Sequence, residues 1–145
     1  MSTSTTLPPT EPPEAAEAAV AAVAAALTAY FDGLHHSDTG LLAEVFHPEA
    51  VYATATEGRL LRLTMEDYLP MVARREPPAA RGEARRDRIV SIGFAGPVTA
   101  LARVECAIGD RHYTDFLTLV RLDGRWRIIA KVFHFDLVDP TPTEG

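Results

Sequence analysis

Three residues with the chemistry for proton transfer lie in otherwise apolar segments: Tyr30, Asp115 and His134. A carboxylate in an apolar setting can act as a base, an imidazole changes charge close to neutral pH, and a phenol can donate a hydrogen bond to a ligand oxygen. Each also has a structural interpretation: a core tyrosine bonded to backbone, an ion-paired aspartate, and a histidine satisfied at a strand end. The residue types alone leave both interpretations open.

A predicted β-hairpin decides which way two of these residues point. Asp123-Gly124 is the strongest turn signal in the chain, and as a two-residue turn it pairs Leu122 with Arg125. Side chains alternate between the faces of a strand, so the turn fixes both faces of the hairpin. Asp115 and His134 then become diagonal neighbours that could form a proton-transfer pair. The face predicted to meet the helices is almost wholly apolar and holds Asp115, Leu117, Leu119, Trp126, Ile128, Ala130, Val132 and His134.

The opposite face of the same hairpin is too apolar for a simple solvent-exposed surface. Exposed apolar patches of this kind usually mark an interface. The sequence therefore predicts a homodimer packed through the back of the sheet. This face is predicted to hold Thr114, Phe116, Thr118, Val120, Arg127, Ile129, Lys131 and Phe133.

Helical patterns precede the strand patterns. Apolar residues at three- and four-residue steps predict a long first helix over 13–35, and a polar cap at 37–38 predicts a short second helix ending near residue 46. Thr64 predicts the start of a third helix, which Pro70 should kink or divide. This order predicts an α+β fold, a curved antiparallel sheet covered by about three N-terminal helices. The strand patterns lie at 49–56, 59–63, 85–94, 98–108, 112–122 and 125–137.

Composition narrows the possible partners. The 145 residues fit one domain, predicted over 14–139 between a disordered N-terminal tail at 1–13 and a C-terminal tail at 140–145. The formal net charge of −6 argues against nucleic acid and anionic membranes. The longest apolar stretch, 18–29, is shorter than the ~20 residues of a membrane span. The single cysteine, Cys106, excludes an internal disulfide and favours a reducing, cytoplasmic setting, where it is predicted to be a buried and inert thiol.

Four further residues are candidates for lining a ligand pocket: His47, Tyr52, Thr54 and Trp126. For His47 a structural bond to backbone at the corner is the favoured interpretation, and for Trp126 a position in the core. The chain has no His-Glu-x-x-His, cysteine pair or glycine-rich phosphate loop. The sequence therefore predicts neither a metal site nor a cofactor.

Several of these patterns together resemble a known family. A long helix, a short helix, the segment Phe46-His47-Pro48-Glu49-Ala50, a strand hairpin, a helix and a meander that closes on Asp-Gly-Arg-Trp-Arg-Ile-Ile resemble the nuclear transport factor 2-like superfamily. The branch they resemble most is the SnoaL-like group named "putative lumazine-binding", over residues 14–137. The resemblance implies a cone-shaped sheet, a deep pocket and a dimer. Members of the superfamily include ketosteroid isomerase, polyketide cyclases, dehydratases, epoxide hydrolases and binding modules without catalysis.

The resemblance also carries over to individual residues. In an ungapped comparison from Tyr30 to Thr54, the oxyanion-hole tyrosine of ketosteroid isomerase falls on Tyr30. Its general-base aspartate falls on Thr54, which cannot do that work, and its second oxyanion acid lies in the strand that contains Asp115. The resemblance therefore implies a pocket near Tyr30 and Asp115 without the isomerase's own reaction.

The sequence leaves three hypotheses for function. The first is a cofactor-independent enzyme of the isomerase, dehydratase or cyclase type, acting on a small, apolar, oxygenated substrate. Tyr30 would polarise a substrate oxygen, and Asp115, with or without His134, would move the proton. The second is a small-ligand-binding protein with the same pocket and no chemistry. The third is a dimeric protein-interaction module that acts through its sheet surface. The first is preferred, because it uses the inward positions of Tyr30 and Asp115.

Overall fold

The computed structural model describes residues 13–138, so the predicted tails before and after this range lie outside the described residues. Three α-helices and one short 3-10 helix accompany six strands. The helices are α1 (Pro13–His36), α2 (Thr39–Val45) and α3 (Met65–Ala73), and the 3-10 helix is Pro78–Arg81. The strands are β1 (Phe46–Thr54), β2 (Leu61–Thr64), β3 (Arg88–Phe94), β4 (Thr99–Ile108), β5 (Arg111–Leu122) and β6 (Arg125–Leu137).

The six strands form one curved, unclosed sheet in the order β2-β1-β6-β5-β4-β3. Strands β3 to β6 form the predicted antiparallel meander, and β1 is antiparallel to β2. One pair departs from this pattern, because β1 runs parallel to β6 with Tyr52 opposite Lys131. The α+β prediction is confirmed, with three helices packed on a sheet that is mixed at this single pair.

The first helix packs its predicted apolar stripe against the sheet. Val23, Leu27 and Tyr30 of α1 are fully buried, and alanines fill much of the remaining surface of the helix. By length and composition alone, the helix Glu14–His36 is long and apolar enough to cross a membrane. The 18-residue window of this helix that meets the test has a mean hydropathy of 1.3, and 33% of the window is buried inside the domain. The buried stripe matters for function because it carries Tyr30 into the core.

Polar caps define the starts of the two shorter helices. Asp38 accepts a hydrogen bond of 3.0 Å from the Leu41 N–H at the start of α2. Thr64 accepts one of 3.3 Å from the Asp67 N–H at the start of α3, as predicted. Of the two outcomes predicted for Pro70, a kink or a division, the division does not occur, because α3 is one continuous element around it. Packing of the buried face of α3 on the core stabilises the helix by more than the single backbone hydrogen bond that proline removes.

A β-bulge interrupts the hairpin of β5 and β6. The turn itself is as predicted, with Leu122 paired with Arg125. The register then shifts by one position at Ile129, which has no partner on β5. One extra residue sends every later side chain of that strand to the opposite face.

The bulge reverses the predicted faces in the second half of β6. Lys131, Phe133 and Phe135 are buried on the inner face of the sheet, whereas Val132 and His134 are exposed on the outer face. The sequence predicted the opposite faces, with Val132 and His134 inside and Lys131 and Phe133 outside. That assignment is wrong, because counting by twos from the turn assumes that no residue is left unpaired.

Candidate functional site

Tyr30 and Asp115 meet in the core. The Tyr30 hydroxyl donates a hydrogen bond of 2.5 Å to Asp115 Oδ2, and both residues are fully buried. The helix α1 supplies the phenol from its apolar stripe, and β5 supplies the carboxylate from the face that it shares with Leu117. A hydroxyl bonded to a carboxylate at this distance is a strong contact. It fixes the carboxylate relative to the helix.

Lys131 lies beside this pair inside a cage of aromatic rings. Its Nζ is between 5.1 Å and 5.9 Å from five ring centroids, within the range of cation–π attraction. The rings are those of Tyr30, Tyr52, Tyr68, Tyr113 and Phe133. The residue is only 4% exposed. Among residues 13–138, no carboxylate oxygen lies within 4.0 Å of this ammonium.

Two polar atoms of the same cluster have no hydrogen-bond partner in the described part of the chain. They are Asp115 Oδ1, a carboxylate oxygen, and Tyr68 Oη, a phenol hydroxyl, and both residues are fully buried. Buried polar atoms are nearly always paired. An acceptor oxygen, a donor hydroxyl and the Lys131 ammonium therefore lie in one buried cluster without bonding to one another. Such a cluster can engage a further polar group.

Burial and charge shift the pKa values of this cluster. Burial, followed by the negative charge of Asp115, raises the pKa of Tyr30 well above its ordinary value of 10.0, so the phenol stays protonated. Burial opposes the charge on Lys131, but its surroundings, led by Tyr68 and followed by Asp115, outweigh that effect and raise its pKa. Burial also raises the pKa of the Cys106 thiol to about 12, as expected for an inert cysteine.

His134 lies on the outer surface and does not contact Asp115. The predicted pair of these two residues is wrong, because the bulge at Ile129 turns His134 away from the interior. Its Nδ1 is 3.1 Å from Thr56 Oγ1, and its Nε2 is 2.9 Å from Asp136 Oδ1. These contacts match the structural alternative, a histidine satisfied near a strand end.

Tyr52 and Thr54 both point inward from β1, as predicted. Tyr52 joins the aromatic cage, where its ring stacks on that of Tyr68 with centroids 4.7 Å apart and lies 5.4 Å from Lys131 Nζ. Thr54 is buried, and its hydroxyl is 2.9 Å from that of Thr56. Of the two, Tyr52 is the one that the structure brings to the cluster.

His47 and Trp126 have structural contacts instead. His47 Nδ1 accepts a hydrogen bond of 3.0 Å from the Glu49 N–H at the start of β1, which is the corner bond favoured for it. Trp126 is buried at the hairpin end of β6, with its ring 5.8 Å from that of Phe94. It precedes Phe133 by seven residues, or roughly 20 Å along the strand. Trp126 is therefore a core residue remote from the cluster.

Lys131 and Tyr68 are members of the site that the sequence analysis missed. A signal for Lys131 is present at the end of β6, where Phe133 and Phe135 alternate with polar residues and so mark the inner face. Lys131 shares their parity. A signal for Tyr68 is its position three residues after Met65, which puts both on one face of α3.

A small surface cleft, with an accessible volume of about 20 Å³, approaches the cluster between α1, the 3-10 helix and β4. Two of its lining residues adjoin the site. The ring of Phe31 is 5.6 Å from that of Tyr30, and Cys106 is close enough to Asp115 for an electrostatic interaction. Asp115 itself does not line this cleft, so the deep pocket predicted between helices and sheet is not confirmed. The cleft is lined by Phe31, Leu34, His35, Pro78, Arg85, Arg86, Asp87, Cys106, Ala107 and Ile108.

The helices on a curved sheet, with a buried polar cluster between them, define a nuclear transport factor 2-like protein. More specifically, the chain belongs to the family described as "Putative lumazine-binding", whose model matches residues 18–134. The resemblance inferred from the sequence is confirmed.

Comparison with individual proteins gives distant relatives. "Aldolase FrzH" of Cladobotryum sp is 26% identical over 107 residues, which cover 72% of this chain and 82% of that protein. A nuclear transport factor 2-like protein of unknown function from Shewanella baltica OS155 has a TM-score of 0.74 at 20% identity, and the match covers 83% of this chain and 95% of that one. A ketosteroid isomerase-like protein from Erwinia carotovora atroseptica has a TM-score of 0.61 at 12% identity, covering 79% and 94%. The two structural matches show the fold alone.

Proposed function

We propose that this chain is a cofactor-independent acid–base enzyme of the isomerase, dehydratase or cyclase type, acting on a small, mostly apolar, oxygenated molecule. One observation carries the proposal. Asp115 is fully buried, its Oδ2 accepts the bond from Tyr30, and its Oδ1 has no hydrogen-bond partner among residues 13–138. A carboxylate that is fixed through one oxygen and unused at the other is arranged as a general base.

In this proposal Tyr30 is a positioning residue. The sequence analysis assigned it to polarise a ligand oxygen, but its hydroxyl hydrogen bond goes to Asp115. Holding the carboxylate in one orientation removes rotational freedom that would otherwise be lost when it aligns with a substrate C–H bond. The proton transfer itself is then the work of Asp115 Oδ1.

One relative supports chemistry next to a carbonyl group, since the protein that is 26% identical to this chain is called an aldolase. Aldol and keto–enol reactions share a first step, the removal of a proton from a carbon atom beside a carbonyl. A buried carboxylate such as Asp115 can remove that proton. Only this type of step, and no particular substrate, is inferred from the name of the relative.

A substrate would reach Asp115 through the cleft beside Cys106, and the rim of that cleft must open because Asp115 is fully buried. Arg85 crosses the rim with ion pairs of 2.7 Å to Asp32 and 2.9 Å to Asp87. Exposed pairs of this kind contribute only about 0–1 kcal/mol each. They can therefore break and re-form during entry.

Proton exchange tests the proposal. The protein is mixed with 2-tetralone, acetophenone or cyclohexanone in D2O, and loss of the α-proton signals is followed by NMR. The expected result is faster exchange than in buffer for at least one ketone, and loss of that acceleration in Asp115→Asn. Exchange at the buffer rate for every ketone would refute the enzymatic proposal.

The second candidate function is a binding protein without chemistry. The observation in its favour is the closure of the cluster, since neither Tyr30 nor Asp115 has any exposed surface. It predicts that small ligands raise the melting temperature while their α-protons exchange at the buffer rate. The family description fits this alternative equally well, because it names binding rather than a reaction.

We also infer a homodimer through the back of the sheet, in a cytoplasmic setting that rests on the single cysteine. Phe116 and Val132 lie directly opposite each other on the outer face and are each 49% exposed, with Leu101 of β4 beside them at 50%. Phe133 was predicted for this surface and lies inside instead. Light scattering at low micromolar concentration should give twice the mass of the chain, and Phe116→Asp should give one mass. The same surface would serve a protein-interaction module.

A further inference from the structure

We propose that Lys131 and Tyr68 bind the oxygen on which negative charge develops, so that the substrates of this site are enolisable ketones or aldehydes held through their carbonyl oxygen. The inference rests on the proposed role of Asp115 as the base. It adds to that role a pair of donor residues and a chemical class of substrate.

Lys131 is placed so that its ammonium can bind an anion that enters the site. Its ammonium is caged by five aromatic rings at 5.1–5.9 Å and has no carboxylate oxygen of residues 13–138 within 4.0 Å. Ring faces attract a cation but do not neutralise it as a paired carboxylate would. The rings also exclude water, and in such surroundings a fixed positive charge stabilises a developing oxyanion strongly.

Tyr68 supplies a second donor in the same cage. Its hydroxyl is fully buried and has no hydrogen-bond partner in the described part of the chain, and its ring centroid is 5.4 Å from Lys131 Nζ. The stack on Tyr52 holds the ring in place. A buried hydroxyl without a partner costs stability, and a hydrogen bond to a ligand oxygen would compensate for that cost.

The three groups account for one balanced step. Asp115 Oδ1 takes the proton from the carbon beside the carbonyl, and the C–H electron pair becomes the carbon–carbon double bond of an enolate. The π pair of the carbonyl moves to its oxygen, which Lys131 and Tyr68 hold. Return of the proton to a different carbon of an unsaturated ketone gives isomerisation. Attack of the enolate carbon on a second carbonyl gives an aldol product once the new alkoxide takes the proton from Asp115, and loss of a β-hydroxyl as water, with that same proton, gives dehydration.

A coloured phenol tests the oxyanion site without knowledge of the substrate. The anion of 4-nitrophenol carries its charge on one conjugated oxygen, like an enolate, and its visible absorbance distinguishes it from the neutral phenol. The wild-type protein should bind 4-nitrophenol as the anion and lower its apparent pKa. Lys131→Met and Tyr68→Phe should each weaken binding of the anion by about tenfold or more, the usual value of a hydrogen bond to a charged group.

Controls separate a local effect from a general one. Arg103→Met removes the same charge from the outer face of the sheet, where Arg103 lies 6.0 Å from the Phe116 ring, and should leave binding unchanged. Tyr68→Phe removes a hydroxyl that bonds to none of the described residues, so it should fold even if Lys131→Met does not. Unchanged binding in Tyr68→Phe, or no binding of 4-nitrophenolate by the wild type, would overturn the inference. Tighter binding of benzoate than of 4-nitrophenolate would also overturn it, by showing that the site prefers a carboxylate to an enolate.

The failure of this inference can be distinguished from the failure of the proposed function. If Lys131→Met and Tyr68→Phe keep full α-proton exchange while Asp115→Asn loses it, the role of Asp115 as the base is supported and the oxyanion site is refuted. If 4-nitrophenolate binding depends on Lys131 but no ketone exchanges its protons, the anion-binding site is supported and the proposed reaction is refuted.

Discussion

Asp115 lies directly opposite Phe133 in the ladder of β5 and β6, and this pairing determines which residues of β6 share its surroundings. Residues that face each other across two antiparallel strands lie on the same side of the sheet. Lys131, two residues before Phe133, therefore faces the interior with Asp115, and His134 faces outward. The bulge at Ile129 sets this pairing. The composition of the buried cluster thus depends on one unpaired residue, five positions after Gly124 of the turn.

Deletion of Ile129 should leave the chain folded. Ile129 is the unpaired residue, so its removal keeps Leu119 opposite Ile128 and Thr118 opposite Ala130, and the later residues of β6 stay on their present faces. An alanine inserted between Val132 and Phe133 should instead turn Phe133 and Phe135 to the outer face and prevent folding. Loss of a buried aromatic side chain costs about 3–5 kcal/mol, and two such losses approach the roughly 5–15 kcal/mol that holds a domain together. Near-UV circular dichroism and thermal unfolding measure both variants. A deletion variant that does not unfold cooperatively, or an insertion variant with the melting temperature of the wild type, would contradict the register.

Two tyrosine-to-phenylalanine substitutions should differ in sign. Tyr30→Phe leaves Asp115 Oδ2 buried without its donor and should lower the free energy of unfolding by about 1–3 kcal/mol. Tyr68→Phe removes a hydroxyl that has no partner within residues 13–138 and should leave stability unchanged or slightly higher. Urea unfolding at neutral pH measures both. Equal losses in the two variants would show that the hydrogen bond between Tyr30 and Asp115 contributes nothing specific.

Stability should fall in strong alkali. The pKa of Tyr30 is raised by burial, and the pKa of Lys131 is raised by its neighbours, from ordinary values of 10.0 and 10.5. Below these ordinary values both groups are protonated in the folded and unfolded states, so their stabilising contribution is complete. As the pH rises past them, the unfolded chain releases protons that the folded chain retains, and stability is lost until the folded-state pKa is passed.

Urea unfolding between about pH 8 and pH 11 measures this dependence. The wild type should lose stability above about pH 10, and Tyr30→Phe should lose less over the same interval. A flat profile in the wild type, or identical slopes in the two proteins, would contradict the buried and protonated state of Tyr30.

The part of the site that could be predicted lies on unbroken periodic patterns. Tyr30 occupies an apolar stripe with steps of three and four residues, and Asp115 occupies a strand that alternates regularly from the turn. Both positions depend only on local parity, so the sequence placed them correctly on the inner faces. The order of helices and strands followed in the same way from turns and caps.

The rest depends on interactions between distant segments. The bulge at Ile129 arises from the fit of β6 between two neighbouring strands, and only the apolar pair Ile128-Ile129 hints at it. Lys131 was assigned to the outer face because charged side chains are rarely buried. Its burial requires five rings contributed by five different elements, an arrangement that no single segment specifies.

The central claim is that Asp115 removes a proton from carbon, and α-proton exchange in Asp115→Asn tests it most directly. Asparagine keeps the size of the side chain and an oxygen that can accept the Tyr30 hydrogen bond, so the melting temperature should change little. It cannot take up the proton, so the rate of exchange should fall by about 100-fold or more, while the surface control His134→Asn should match the wild type. Exchange that persists in a folded Asp115→Asn protein, or that falls only in proportion to lost stability, would contradict the account.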